Sequence, residues 1–131
     1  MSKSEELIKK IGKKVKLLYK NGEYVRPGKE SSNEINSLYG IARGENIKWD
    51  TILKEAGIEN VWYRFLLKRL VNKYPISSFT EKNVREMITT TPGLKRMKTR
   101  TVLKMLNEDG FVIKTNKEYK LTNTAFDEFN E

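Results

Sequence analysis

Five cations crowd the stretch from Leu94 to Leu106: Lys95, Arg96, Lys98, Arg100 and Lys104, with no acidic residue among them. Their chemistry is the recognition of anions and of electron-rich base edges. A guanidinium is a planar fork that matches the O6 and N7 acceptors of guanine together, whereas an ammonium is a point charge suited to a phosphate oxygen. If the stretch is helical, Leu103 and Leu106 mark its buried side, and the opposite side carries Met97, Arg100, Thr101 and Lys104. Arg96 falls at the margin of that side, while Lys95 and Lys98 project near the helix start. These types predict base contacts from Arg96 and Arg100 and apolar contacts to thymine methyls from Met97 and Thr101. Lys95, Lys98 and Lys104 would then hold phosphates.

Other chemistries are poorly supplied. The 131 residues include no Cys and no His, which excludes disulfides, thiol nucleophiles, imidazole or thiolate metal sites, and the dyads and triads built on them. The carboxylates are scattered along helix surfaces or at helix starts, with no pair spaced so that one would tune the other. Gly40, Gly44 and Gly57 fall at helix ends rather than in a phosphate-cradling loop. No enzymatic activity, cofactor or metal is expected.

The elements that must position the cations can be read outward from them. Gly110 ends the basic helix, expected over residues 94–109. Phe111–Lys114 and Tyr119–Thr122 then read as two strands around a polar turn that places Lys117 at its tip. Upstream, Trp62, Phe65, Leu66, Leu70 and Val71 belong to an apolar helix that stops before Pro75. Ile76–Phe79 is a short extended segment, and Thr80 caps a helix that faces Val84, Met87 and Ile88 inward. Thr89–Gly93 is the turn into the basic helix, and residues after Thr122 form a short closing helix carrying Phe126 and Phe129.

This order, together with the ending "LNEDGFVIK…YKLT", resembles the winged helix-turn-helix superfamily over residues 61–122. The resemblance implies a mainly α fold with a small β-hairpin, an α+β class, in which the third helix enters the major groove. It also implies a wing, here with Lys117 against the minor groove or a phosphate. The function implied is sequence-specific binding of double-stranded DNA by a transcriptional regulator. The alternative is a winged-helix adaptor that makes protein contacts in a replication, transcription or segregation complex.

Residues 1–60 form a separate helical region. Ser2–Glu5 can cap a basic amphipathic helix over residues 3–20, in which Leu7, Ile8, Ile11, Val15, Leu18 and Tyr19 face Lys9, Lys13, Lys16 and Lys20. Ser31–Glu34 can open a helix over about 32–43 closed by Gly44, and a third helix over 49–57 ends at Gly57 with Ile58 folding back. The basic helix can pack on the domain, pair with its copy in a homodimer, or lie on DNA phosphates. Its apolar stripe lacks Trp and Phe, which argues against a membrane surface. Trp49, Trp62, Phe65, Phe79 and Phe111 sit at core positions, and Tyr24, beside Arg26 and Lys29, is the one aromatic placed to stack on a base.

Charge is distributed in blocks. The net charge is +9, and residues 1–29 carry +6, 30–60 carry −3, 61–106 carry +9 and 107–131 carry −3. Two concentrated positive blocks are the footprint of a polyanion such as nucleic acid. With no apolar run long enough to span a bilayer and no signal-peptide pattern, the expected location is the cytoplasm, in association with the nucleoid.

Overall fold

The computed structural model describes residues 2–94 and 96–130. These are mainly helical with one small antiparallel sheet, an α+β fold, and the chain divides into two compact units, residues 1–64 and 65–131.

The first unit is built from α1 (Lys3–Lys20), α2 (Asn33–Gly44) and α3 (Trp49–Glu55). Ile11 and Val15 of α1, Ile35, Leu38 and Ala42 of α2, and Trp49, Ile52 and Leu53 of α3 share its core with Val25, Ala56, Ile58 and Val61. Burying a Trp leaves its N–H to be satisfied, and the Trp49 indole donates to the Val25 carbonyl at 2.9 Å. Ser2 caps α1 by accepting from the Glu5 amide at 3.2 Å. The α2 cap is Ser32, one residue later than the sequence pattern suggests, accepting from the Ile35 amide at 3.3 Å. Arg64 closes the far end of α1, donating from Nε to the Tyr19 carbonyl at 3.2 Å and from Nη2 to the Lys20 carbonyl at 2.6 Å. Both belong to the last helical turn, whose carbonyls lack partners within the helix, and the Tyr19 carbonyl also accepts from the Gly22 amide at 3.0 Å.

One stop device recurs. A residue with left-handed φ lets the next amide reach back over the last helical turn. Gly22, Gly57 and Gly110 adopt φ of +87°, +75° and +78°, followed by Glu23→Leu18, Ile58→Leu53 and Phe111→Leu106 amide-to-carbonyl bonds of 3.1, 3.0 and 2.9 Å. At the end of α2 the device is displaced from Gly44 to Asn46, with φ of 58° and an Ile47→Ala42 bond of 2.9 Å. Gly44 itself is the last helical residue. Asn tolerates this conformation better than other side-chain-bearing residues, and the shift brings Ile47 against the core.

The second unit holds most of α4 (Tyr63–Lys73), then β1 (Phe79–Thr80), α5 (Glu81–Thr89), α6 (Thr99–Glu108), β2 (Val112–Thr115), β3 (Glu118–Leu121) and α7 (Asn123–Asp127). Leu66, Leu67 and Leu70 of α4 are fully buried, whereas Phe65 and Val71 are half-buried. Thr80 and Asn83 form a reciprocal cap on α5, with the Asn83 side chain accepting from the Thr80 amide at 2.9 Å. The sheet runs β1-β3-β2, all antiparallel, with Phe79 opposite Tyr119 and Val112 opposite Leu121. β1 is therefore shorter than the expected 76–79 strand, and Ile76 is 88% exposed. Asn116, with φ of 59°, makes the tight hairpin turn with Lys117.

The main correction concerns the basic helix. α6 begins at Thr99, not at residue 94, with Lys98 extended at φ −76° and ψ 136° as its N-cap. The physical reason is the register of its buried face. Val102, Leu103 and Leu106 are buried, and a helix continued backward would carry Lys95 into the middle of that face and Lys98 to its edge. Burying lysines without partners is costly. The chain instead leaves the helix, and Gly93 at φ +83° turns it so that Leu94 is buried from a loop.

Candidate nucleic-acid interface

One face of the second unit is assembled from α6, the start of α5 and the hairpin. α6 is held by Val102, Leu103 and Leu106, so its opposite side is presented to solvent, where Arg100, Thr101, Lys104 and Asn107 are exposed. No side chain caps its start. The Thr101 and Val102 amides instead donate to the Lys98 carbonyl at 3.0 and 3.2 Å, and Lys98 itself is exposed.

The turn that aims α6 is fixed by a residue absent from the sequence reading. Arg69 of α4 donates to Thr91 Oγ1 at 2.6 Å, to Thr90 Oγ1 at 3.0 Å and to the Met87 carbonyl at 3.4 Å. Thr91 is buried, and its hydroxyl in turn donates to the Met87 carbonyl at 2.8 Å. One guanidinium thus ties α4 to the end of α5 and to the segment leading into α6. An arginine at this apolar helix's edge is the only sequence trace it leaves.

A shallow groove of about 440 Å³ runs between α6 and the hairpin, lined by Glu81, Arg100, Leu103, Lys104, Asn107, Lys114 and Tyr119. Arg100 Nε lies 3.5 Å from Glu81 Oε1, and the arginine side chain is 89% exposed against 35% for the glutamate. Lys104 Nζ is 3.9 Å from Glu108 one turn on. On the hairpin, Tyr119 stacks on Phe79 with centroids 6.1 Å apart, and the Lys114 ammonium stands 5.8 Å from the Tyr119 ring. The two are direct cross-strand partners.

Of the residues singled out from sequence, Arg100, Thr101 and Lys104 share the exposed side of α6, and Lys98 is its cap. Arg96 and Met97 are not on the helix. They belong to the preceding turn, where the Met97 amide donates to the Leu94 carbonyl at 2.9 Å; Arg96 is exposed and Met97 half-buried. Lys117 is exposed at the hairpin tip, and Lys95 lies outside the described residues. Glu81, Asn107, Lys114 and Tyr119 were not anticipated, although alternation along Val112–Thr115 could have marked Lys114. Tyr24 is half-buried against the core of the first unit, so it is not an open stacking platform. Lys9, Lys13, Lys16 and Lys20 are all exposed on α1.

No family model matches the chain, and no curated protein or solved structure is significantly similar to it. Among the described residues, no helix is long and apolar enough to cross a membrane.

Proposed function

We propose that the protein is a sequence-specific, double-stranded-DNA-binding regulator of winged-helix type, with α6 in the major groove and the β2–β3 hairpin as the wing. The observation that carries this reading is the exposed side of α6. It presents Arg100, Thr101 and Lys104 with the hairpin cations Lys114 and Lys117 following in the same unit. The order α4, β1, α5, α6, β2, β3 with sheet order β1-β3-β2 supports it, because that is the arrangement a winged helix requires.

The roles follow from position. Arg100 and Thr101 lie in the first turn of α6, the part of a recognition helix that meets base edges. A bidentate arginine–guanine pair discriminates by about 1–3 kcal/mol. Arg96, displaced from the helix, joins Lys98, Lys104, Lys114 and Lys117 as a backbone contact, which fixes register without reading sequence. Selection of bound fragments from random duplex DNA tests the reading. An enriched motif is expected, palindromic if the protein binds as a two-fold dimer. Absence of enrichment would favour an adaptor that meets proteins rather than bases.

A further inference from the structure

The first unit carries a charge pattern that its packing does not require. Ile11 and Val15 of α1 are buried, and Leu7, Leu18 and Tyr19 pack half-buried against the same core. At about 100° per residue, Lys9, Lys13, Lys16 and Lys20 fall within roughly 60° of arc on the opposite side, in a row about 16 Å long. All four are exposed, and none has an acidic partner among the described residues. Like charges one turn apart weaken a helix, so the row is not there to stabilise α1.

The residue type narrows the ligand. The row is entirely lysine, with neither the arginine forks nor the aromatic faces that read or stack bases, and point charges suit phosphates. An anionic membrane would also offer phosphates, but an interfacial helix needs apolar residues to insert beside its cations. Leu7, Ile11, Val15, Leu18 and Tyr19 of α1 are committed to the core, which leaves the half-buried Ile8 and Leu17, 59% exposed, too few to insert.

We infer that the Lys9–Lys13–Lys16–Lys20 row is a second, sequence-independent contact to the phosphate backbone of duplex DNA, an inference resting on the proposal that such DNA is the partner. The row adds affinity and salt dependence but no sequence preference. It also gives a role to four of the nine cations of residues 1–29.

The test compares wild type with the fourfold variant Lys9→Gln, Lys13→Gln, Lys16→Gln, Lys20→Gln, because glutamine and lysine have similar helix propensity. Binding to duplexes of several sequences is followed across a salt series. Each lost phosphate contact lowers the slope of log affinity against log salt by about 0.9, so the variant's slope should fall by roughly 3–4, with equal loss on every sequence. A slope and affinity equal to wild type overturn the inference. Arg100→Ala, measured in parallel, separates the two readings: it should change the ranking of sequences, which the fourfold variant leaves intact. An unchanged ranking in Arg100→Ala with a reduced slope in the fourfold variant sinks the α6 reading and leaves the lysine row standing. A readout on the unmodified protein guards against misfolding of the variant. Mixed-sequence duplex should protect these four lysines, but not the exposed Lys54 of α3, from acetylation. Protection by phosphatidylserine vesicles and not by duplex would overturn the inference in favour of a membrane.

Discussion

Among the described residues Glu81 is the one carboxylate lining the groove beside α6, and its removal should strengthen DNA binding while weakening the fold. In the free protein Arg100 Nε is engaged by Glu81 Oε1 at 3.5 Å. Arg100 must leave that partner to meet a base. With the arginine side chain 89% exposed the pair is largely solvated, so separating it costs no more than about 1 kcal/mol. Glu81→Gln abolishes that cost, and a gain of about 0.5–1 kcal/mol is a roughly two- to fivefold rise in affinity. It also removes a negative charge from beside the phosphates, steepening the salt slope by up to about one. Stability should move the other way. Glu81 opens α5, and an acid in a first helical turn contributes about 0.3–1 kcal/mol through the helix dipole. Fluorescence anisotropy with duplex and urea unfolding followed by circular dichroism measure the two effects on one sample. In an Arg100→Ala background the affinity gain should shrink to the part due to general electrostatics. Weaker binding by Glu81→Gln would refute the reasoning outright, and an undiminished gain without Arg100 would refute the pairing argument.

Three further outcomes are expected. Arg69→Ala removes the tie between α4 and the turn before α6, and should cost about 1.5–3 kcal/mol in urea unfolding; DNA affinity should fall with it although Arg69 lies off the proposed interface. Lys117→Ala should weaken binding by a similar factor on all duplex sequences and lower the salt slope by about one, whereas a sequence-dependent loss would mean that the wing reads bases. Burial raises the Tyr19 phenol above the ordinary tyrosine value, with the Arg64 charge pulling it partly back, and its hydroxyl donates to the Asn60 carbonyl at 3.0 Å. Its stabilising contribution is complete below the unfolded value of about 10 and is lost as pH rises through the higher folded value. Stability should therefore decline under strongly alkaline conditions, less so in Tyr19→Phe; an identical decline in both would show that Tyr19 is not the group responsible.

What the sequence disclosed follows from which interactions are local. Thr80, Gly57 and Gly110 act on backbone within a few residues, so the caps and stops they make were legible as patterns. The inward faces of α5 and α6 were legible for the same reason, since Val84, Met87, Ile88, Leu103 and Leu106 repeat at helical spacing. The start of α6 was not, because Leu94 continues the apolar spacing while serving a different purpose, as a loop anchor behind Gly93. Only the burial that a continued helix would impose on lysines reveals the break, and that requires knowing which face is covered. Arg96 and Met97 moved off the helix as a consequence. Arg69 and Glu81 were out of reach for a related reason: each matters through a partner distant in sequence, namely Thr91 and Arg100.

The DNA-binding proposal turns on Arg100 on the exposed side of α6. The most direct measurement is fluorescence anisotropy of a labelled mixed-sequence duplex with wild type and Arg100→Ala, from low to moderate salt, with circular dichroism confirming that both are folded. Wild type is expected to bind, with affinity falling steeply as salt rises, and Arg100→Ala to bind markedly less at every salt concentration. No binding by wild type at low salt, or binding unaffected by Arg100→Ala, would contradict the proposal.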